Sequence, residues 1–137
     1  MPLRIAAGSD HAGFALKQAL VLHLKEQGIS VEDLGTHAPT RCDYPDYGAA
    51  VARRVADGNA DLGLLVCGSG IGMSMAANKV PGIRAAVVSD CFSARSTRQH
   101  NDANVLCVGE RVVGVGLAKD IVDAFVGASF EGGRHAQ

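Results

Sequence analysis

Cys67 ends the apolar run Leu62 to Val66 and opens the turn Gly68-Ser69-Gly70-Ile71-Gly72. A sulfur at that place is set up for proton transfer or nucleophilic attack. A strand over 62–66 carries it to the carboxyl edge of a sheet, and the three glycines permit a tight, positive-φ backbone that turns into a helix. Amide N–H groups at a helix start carry about +0.5 of a charge, which favours an anionic thiolate. The same residues fit a plainer role as well, a buried structural cysteine beside a packing turn, because free cysteine is among the most buried residue types. Cys42, Cys67, Cys91 and Cys107 contain no C-x-x-C pair. Neither a zinc knuckle nor a compact disulfide framework is indicated, and reduced thiols in a cytoplasmic protein are expected.

These residues need a scaffold. A chain of 137 residues fits one domain, and folding a chain of this size buries roughly two-thirds of its unfolded surface. Apolar residues make up 47% but aromatic ones only 4%, so the core is expected from Val, Leu, Ile and Ala, the usual material of helix-covered parallel sheets. The net charge is −1, without a basic cluster, and the few aromatics are not interleaved with Lys or Arg. No nucleic-acid partner is expected on those grounds. The start Met1-Pro2-Leu3-Arg4-Ile5 leads into no signal-peptide core, and no apolar run is long enough to span a membrane, so neither export nor a membrane partner is expected.

Hydrophobic periodicity supplies the elements. Leu3 to Ala7 reads as a strand, followed by a helix over 13–27 whose Leu16, Leu20 and Leu24 share a face and which Gly28 stops. Residues 29–34 alternate and carry two acids, as an edge strand does. A loop over 35–43 precedes a helix that starts at Asp43-Tyr44-Pro45, buries Val51 and Val55, and ends at Gly58. The third strand leads to Cys67, and its helix runs to about Lys79. A fourth, buried strand over 83–88, a helix over 92–99, a fifth strand over 104–108 and a last helix over 117–125 complete the pattern. Five such pairs predict one doubly wound, Rossmann-like α/β domain: a five-stranded parallel sheet with helices on both faces. Ligands bind such sheets beyond the carboxyl ends of the strands. Asp10, His11, Cys67 to Gly72, Ser89, Asp90 and Gly109 to Arg111 all fall there.

Three familiar chemistries fail on particular residues. A dinucleotide fingerprint belongs after the first strand, not the third. A C-x5-R phosphatase needs arginine where Met73 stands, and a receiver domain needs an aspartate where Cys67 stands. What remains is a thiol, a glycine-rich anion cradle, the Asp10-His11 pair and the polar run Arg95 to Asp102. With these residues the chain resembles the ribose-5-phosphate isomerase B family over nearly its whole length. The likeness rests on Gly8-Ser9-Asp10-His11-Ala12-Gly13, Asp43-Tyr44-Pro45, Cys67-Gly68-Ser69-Gly70-Ile71-Gly72, Ala76-Ala77-Asn78-Lys79, Gly82-Ile83-Arg84-Ala85, Arg98-Gln99-His100-Asn101 and Glu131-Gly132-Gly133-Arg134-His135.

The resemblance implies interconversion of an aldose phosphate and a ketose phosphate through an enediolate, without cofactor or metal, and foremost of ribose 5-phosphate with ribulose 5-phosphate. Cys67 matches the family's base. Another branch uses a glutamate at the position of Met73, which cannot take a proton. The amides of Gly68, Gly70, Ile71 and Gly72 and the Ser69 hydroxyl would hold the growing oxyanion, while Ser69 by itself also reads as a helix cap. By the same resemblance His100, assisted by Asp10, opens the sugar ring, a task suited to a side chain that titrates near neutrality. His11, Arg111 and Arg134 would hold the phosphate. Asn101 would bind sugar hydroxyls and Tyr44 would border the pocket. Taken alone, His100 also reads as a surface or interface histidine, Asn101 as a helix-end cap, Tyr44 as a packed ring and Arg134 as a solvated tail residue. Family members are dimers with shared sites, so a homodimer, or a tetramer, is expected here, with the tail 128–137 and His100 in a partner's site. Relatives that isomerise allose 6-phosphate, galactose 6-phosphate or a tetrose phosphate, and a non-catalytic phosphosugar-binding subunit, remain the alternatives. The presence of both Cys67 and His100 favours a catalyst.

Overall fold

The computed structural model describes residues 3–37 and 44–132, the side chains of Tyr44 and Pro45 excepted. Five strands, β1 (Arg4–Ser9), β2 (Ser30–Asp33), β3 (Leu62–Cys67), β4 (Ala85–Val87) and β5 (Val105–Gly109), form one sheet in the order β2-β1-β3-β5-β4. Every pairing is parallel, with Cys67 opposite Gly109 and Ser9 opposite Val66. Helices α1 (Phe14–Glu26), α2 (Tyr44–Ala56), α3 (Ile71–Ala77), α4 (Cys91–Asn101) and α5 (Val115–Val126) make the crossovers. The strand order reverses direction at β1 and β3, which is where a doubly wound sheet opens a crevice.

Alternation along the central strands divides the core in two. Leu62, Leu64, Val66, Leu106 and Val108 face one side with Leu16, Leu20 and Leu24 of α1 and Ile121, Val122 and Phe125 of α5. Leu65, Cys67, Val105 and Cys107 face the other with Val51 and Val55 of α2 and Met73 and Ala77 of α3. Both central strands are buried along their whole length, the signature of a sheet covered on both faces. Gly28, at φ +82°, ends α1 in a Schellman motif: its amide donates to the Lys25 carbonyl and that of Ile29 to the Leu24 carbonyl.

Three expectations need correction. Gly13 closes a separate 3₁₀ turn over residues 11–13 and does not start the helix, which begins at Phe14, because the Asp10 carboxylate accepts the Gly13 amide at 3.0 Å ahead of α1. The fourth strand is three residues long, half-exposed and at the sheet edge, not buried. Only Ile83 and Val88, which flank it, are buried. Finally, α3 stops at Ala77 instead of near Lys79. The Asn78 side chain leaves the helix to bracket the backbone of Ala85, accepting its amide at 2.8 Å and donating to its carbonyl at 3.0 Å.

Candidate active site

The carboxyl ends of β1, β3 and β5 converge on an open cleft of about 490 Å³. Asp10, His11, Ala12, Cys67, Gly68, Ser69, Gly72, Arg111 and Val112 line it. Packing of unusual closeness holds its floor. A Cβ on Gly13 would lie 2.4 Å from the Val66 carbonyl oxygen and 2.8 Å from the Cys67 nitrogen, and one on Gly109 would lie 2.7 Å from the Ser69 backbone. Both positions therefore exclude any side chain. Gly70, at φ +84°, makes the left-handed step that lets the chain enter α3.

That step decides the environment of the thiol. The Gly70 amide donates to Cys67 Sγ across 3.1 Å. The bond aims one polar N–H at the sulfur on the floor of the cleft. At seven residues α3 is too short for a large macrodipole, so this single directed N–H, more than the helix as a whole, is what the cradle offers. Ser69 Oγ accepts the Ile71 amide at 3.2 Å. The N-cap of α3 is Gly70 and not Ser69, which precedes it, and Ser69 stays exposed on the cleft with its O–H proton uncommitted to that bond. Burial pushes the Cys107 thiol on β5 well above its ordinary range, and the neighbouring Cys67 adds to the rise. Cys107 is thus a neutral core thiol, while Cys67 is the cysteine among the cleft residues.

Backbone bonds fix the cationic wall. The Arg111 amide donates to the Gly68 carbonyl at 3.0 Å, and the Glu110 amide to the Cys67 carbonyl at 2.8 Å. The Arg111 side chain consequently lies across Gly68, with Cδ 3.6 Å from where a Cβ would sit. His11, at the start of the 3₁₀ turn, completes that side. Ile71 is exposed, and Met73 is fully buried in the core beneath α3. Among the described residues no group of three His, Cys, Asp or Glu side chains is placed to hold a metal ion. No helix among them is long and apolar enough to cross a membrane.

The profile of the Ribose/Galactose Isomerase family matches residues 5–137. The chain is 57% identical over 134 residues to ribose-5-phosphate isomerase B of Escherichia coli, covering 98% of this chain and 90% of that one. The chain belongs to the Ribose/Galactose Isomerase family. Ribose-5-phosphate isomerase B of Clostridium thermocellum superposes with a TM-score of 0.97 at 54% identity, over 98% of this chain and 90% of the other. A Mycoplasma genitalium ribose-5-phosphate isomerase B solved with bound ribulose-5-phosphate gives 0.94 at 45% identity, over 99% and 91%. Membership makes this chain an enzyme, a sugar-phosphate aldose–ketose isomerase.

Not every residue matching the isomerase motifs reaches the cleft. His100 and Asn101 close α4, an 11-residue helix. It runs about 16 Å at 1.5 Å per residue, from the carboxyl end of β4 back to the amino end of β5. The far end is marked by Asn104, whose carbonyl accepts the Gly63 amide at the start of β3. One chain therefore holds Cys67 and His100 at opposite edges of its sheet. Around His100, Ser96 Oγ lies 3.4 Å from Nδ1 and Glu131 Oε1 lies 3.7 Å from Nε2. The Glu131 amide also donates to the Gln99 carbonyl at 3.0 Å, which starts the tail beside His100. Tyr44 opens α2, and Arg134 lies outside the described residues.

Several motif residues prove to be framework. Arg98 donates to Asp102 Oδ1 at 3.0 Å and to the Ala103 carbonyl at 2.6 Å. Arg84 ties the Asp102 carbonyl at 2.7 Å. Asp90 caps α4, accepting the amide and the hydroxyl of Ser93, and these bonds hold its carboxyl below the usual range. Sequence reasoning missed Lys17, whose ammonium is wholly buried against both Asp33 oxygens at 2.8 Å and the Thr36 carbonyl at 2.6 Å. Its signal was present: Lys17 adjoins the apolar stripe of α1, and Asp33 is one of the two acids of β2. Glu110 was missed too, and nothing local signals its bond to the Leu16 amide at 2.7 Å.

Proposed function

We propose that the chain interconverts ribose 5-phosphate and ribulose 5-phosphate, with Cys67 as the base. The observation that carries this reading is the Gly70 N–H on Cys67 Sγ, on the floor of a cleft that also presents Ser69, Asp10, His11 and Arg111. The Cys67 thiolate takes the C2 proton of the open-chain aldose, leaving an enediolate whose oxygens face the Gly68 to Gly72 amides and the Ser69 hydroxyl. The same sulfur returns a proton to C1 while the hydroxyl proton passes from O2 to O1, which completes the ketose. A positioned base of this kind contributes roughly 10²–10⁴-fold. Oxyanion donors set in advance supply the stabilisation that water would have to reorganise to give.

Ring opening falls to His100 with Asp10, and phosphate binding to His11, Arg111 and Arg134. Asn101 and Tyr44 receive the sugar hydroxyls. Because His100 sits at the far edge of its own sheet, the active unit is a homodimer in which one subunit's Cys67 cleft takes His100 and the tail of the other. The Glu131–Gln99 bond supports that assignment by starting the tail beside His100, so that both reach the partner from one place.

The test is solvent exchange. In deuterium oxide, ribose 5-phosphate should gain deuterium at C2 with the wild-type protein and none with Cys67→Ala; tight binding without exchange would mark a non-catalytic phosphosugar-binding subunit. Turnover across ribose 5-phosphate, allose 6-phosphate, galactose 6-phosphate and a tetrose phosphate ranks the substrate, and a hexose phosphate at the top would replace the pentose in this reading.

A further inference from the structure

Glu110 does not line the cleft, yet it is bonded to two of the segments that form it. Its carboxylate Oε1 accepts the Leu16 amide at 2.7 Å across 94 positions of sequence. Leu16 lies in the first turn of α1, directly after the 3₁₀ turn that begins with His11. An acceptor there satisfies one of the amides that have no partner inside the helix, and its negative charge complements the N-terminal end of a 13-residue helix. Through its own amide Glu110 is held to the Cys67 carbonyl, and the next amide, that of Arg111, to the Gly68 carbonyl. One residue thus couples the β5 loop, the cysteine cradle and the histidine turn.

We infer that Glu110 is a positioning residue that sets the separation of His11 and Arg111, and through it the affinity of the cleft for a phosphate group. This rests on the reading that those two side chains bind the phosphate. With the Leu16 bond removed, the His11 turn and the Arg111 loop remain joined to the sheet by their own backbone bonds but lose the tie that runs from Glu110 to the first turn of α1, directly behind the His11 turn. A phosphate group that must meet both side chains at once is then held less well. The enediolate cradle is built on Gly70 and Ser69, so the proton-transfer step is left in place. The effect belongs in KM, since binding of the remote phosphate is lost about equally from ground and transition states.

The experiment measures kcat and KM for ribose 5-phosphate, with inorganic phosphate as the competitive probe, in Glu110→Ala, Glu110→Gln and Arg111→Ala. Gln retains a carbonyl oxygen at the same reach and should behave as wild type within about twofold. Glu110→Ala should raise KM and the phosphate inhibition constant together, roughly three- to tenfold, with kcat within about twofold. If Glu110→Ala fails to fold, Glu110→Asp, a methylene too short to reach Leu16, carries the same expectation. A Glu110→Ala protein with altered melting temperature but unchanged phosphate inhibition would overturn the inference while Arg111→Ala still raised KM. An unchanged KM in Arg111→Ala would instead overturn the underlying phosphate assignment.

Discussion

The two edges of the sheet treat arginine differently. At the amino edge, Arg4 lies 3.1 Å from Asp61, Arg54 3.1 Å from Glu32, Arg84 3.3 Å from Asp102 and Arg98 3.0 Å from the same Asp102. Each guanidinium there is matched by a carboxylate and spent on closing turns. At the carboxyl edge Arg111 makes no ion pair among the described residues and lies over a glycine that offers only backbone. Exposed pairs contribute little to stability, about 0–1 kcal/mol each, so the amino edge is neutral ground. An unmatched cation lining a cleft raises the local attraction for an anion. The difference lies in what each edge leaves uncompensated, because net charge is near zero for the chain as a whole.

The largest test of that contrast removes the sulfur. Cys67→Ala should lower kcat by roughly 10²–10⁴-fold while the protein keeps its fold, measured as turnover alongside circular dichroism. Cys107→Ala, two residues along the neighbouring strand and wholly enclosed in the core, should keep kcat within about twofold and lose only packing energy. Equal kinetic losses in the two variants would mean that the site reads general core packing instead of a base.

The next test sets the two edges against each other across subunits. Cys67→Ala and His100→Ala should each be inactive alone. Unfolded together and refolded as an equal mixture, half of the dimers are mixed and one of the two sites in each is intact, so about a quarter of wild-type activity should return. No recovery after verified subunit exchange would overturn the supply of His100 by the partner subunit.

A smaller effect separates the arginines. Arg111→Met should raise KM for the sugar phosphate roughly ten- to a hundredfold, the loss of a charge-assisted bond of about 1.5–3 kcal/mol. Arg84→Met should leave KM unchanged and instead lower the melting temperature, since it frees the carbonyl of Asp102. A shift of KM in both would show that long-range charge, not the position over Gly68, governs phosphate affinity.

Much of this was legible in the chain, and for identifiable reasons. Apolar runs bounded by Gly28, Gly58 and Pro81-Gly82 gave the βα order, and the acids at Glu32 and Asp33 marked β2 as an edge. Burial on both faces was written in Leu62 to Val66. The run Ile83 to Val88 misled, because its apolar residues look alike in sequence whereas the edge position leaves the middle of the strand half-exposed. Periodicity also could not separate the 3₁₀ turn from α1, since a side-chain cap at Asp10 is a competition between local hydrogen bonds that leaves the hydrophobic pattern unchanged. The burial of Lys17, despite its place beside the apolar stripe of α1, and the bond of Glu110 were missed for a different reason. A charged residue reads as solvated until its partner is known, and their partners lie 16 and 94 positions away.

The smallest effect returns to the paired strands, where Cys107 faces the same layer as Cys67. Burial raises the Cys107 thiol above its ordinary value of 9.0 in the folded protein, whereas the unfolded chain titrates it normally. Below pH 9 both states keep the proton and stability is unaffected. Above it the unfolded chain releases a proton that the folded protein retains, so stability falls as pH rises, by at most about 1.4 kcal/mol per pH unit for one group. Urea unfolding at pH 8, 9 and 10 should therefore show a steeper alkaline decline for wild type than for Cys107→Ala. Cys67→Ala should leave most of that decline in place, because burial is the larger cause of the Cys107 rise and the neighbouring Cys67 the smaller. Parallel declines in wild type and Cys107→Ala would show that the buried thiol is not the group that releases the proton on unfolding.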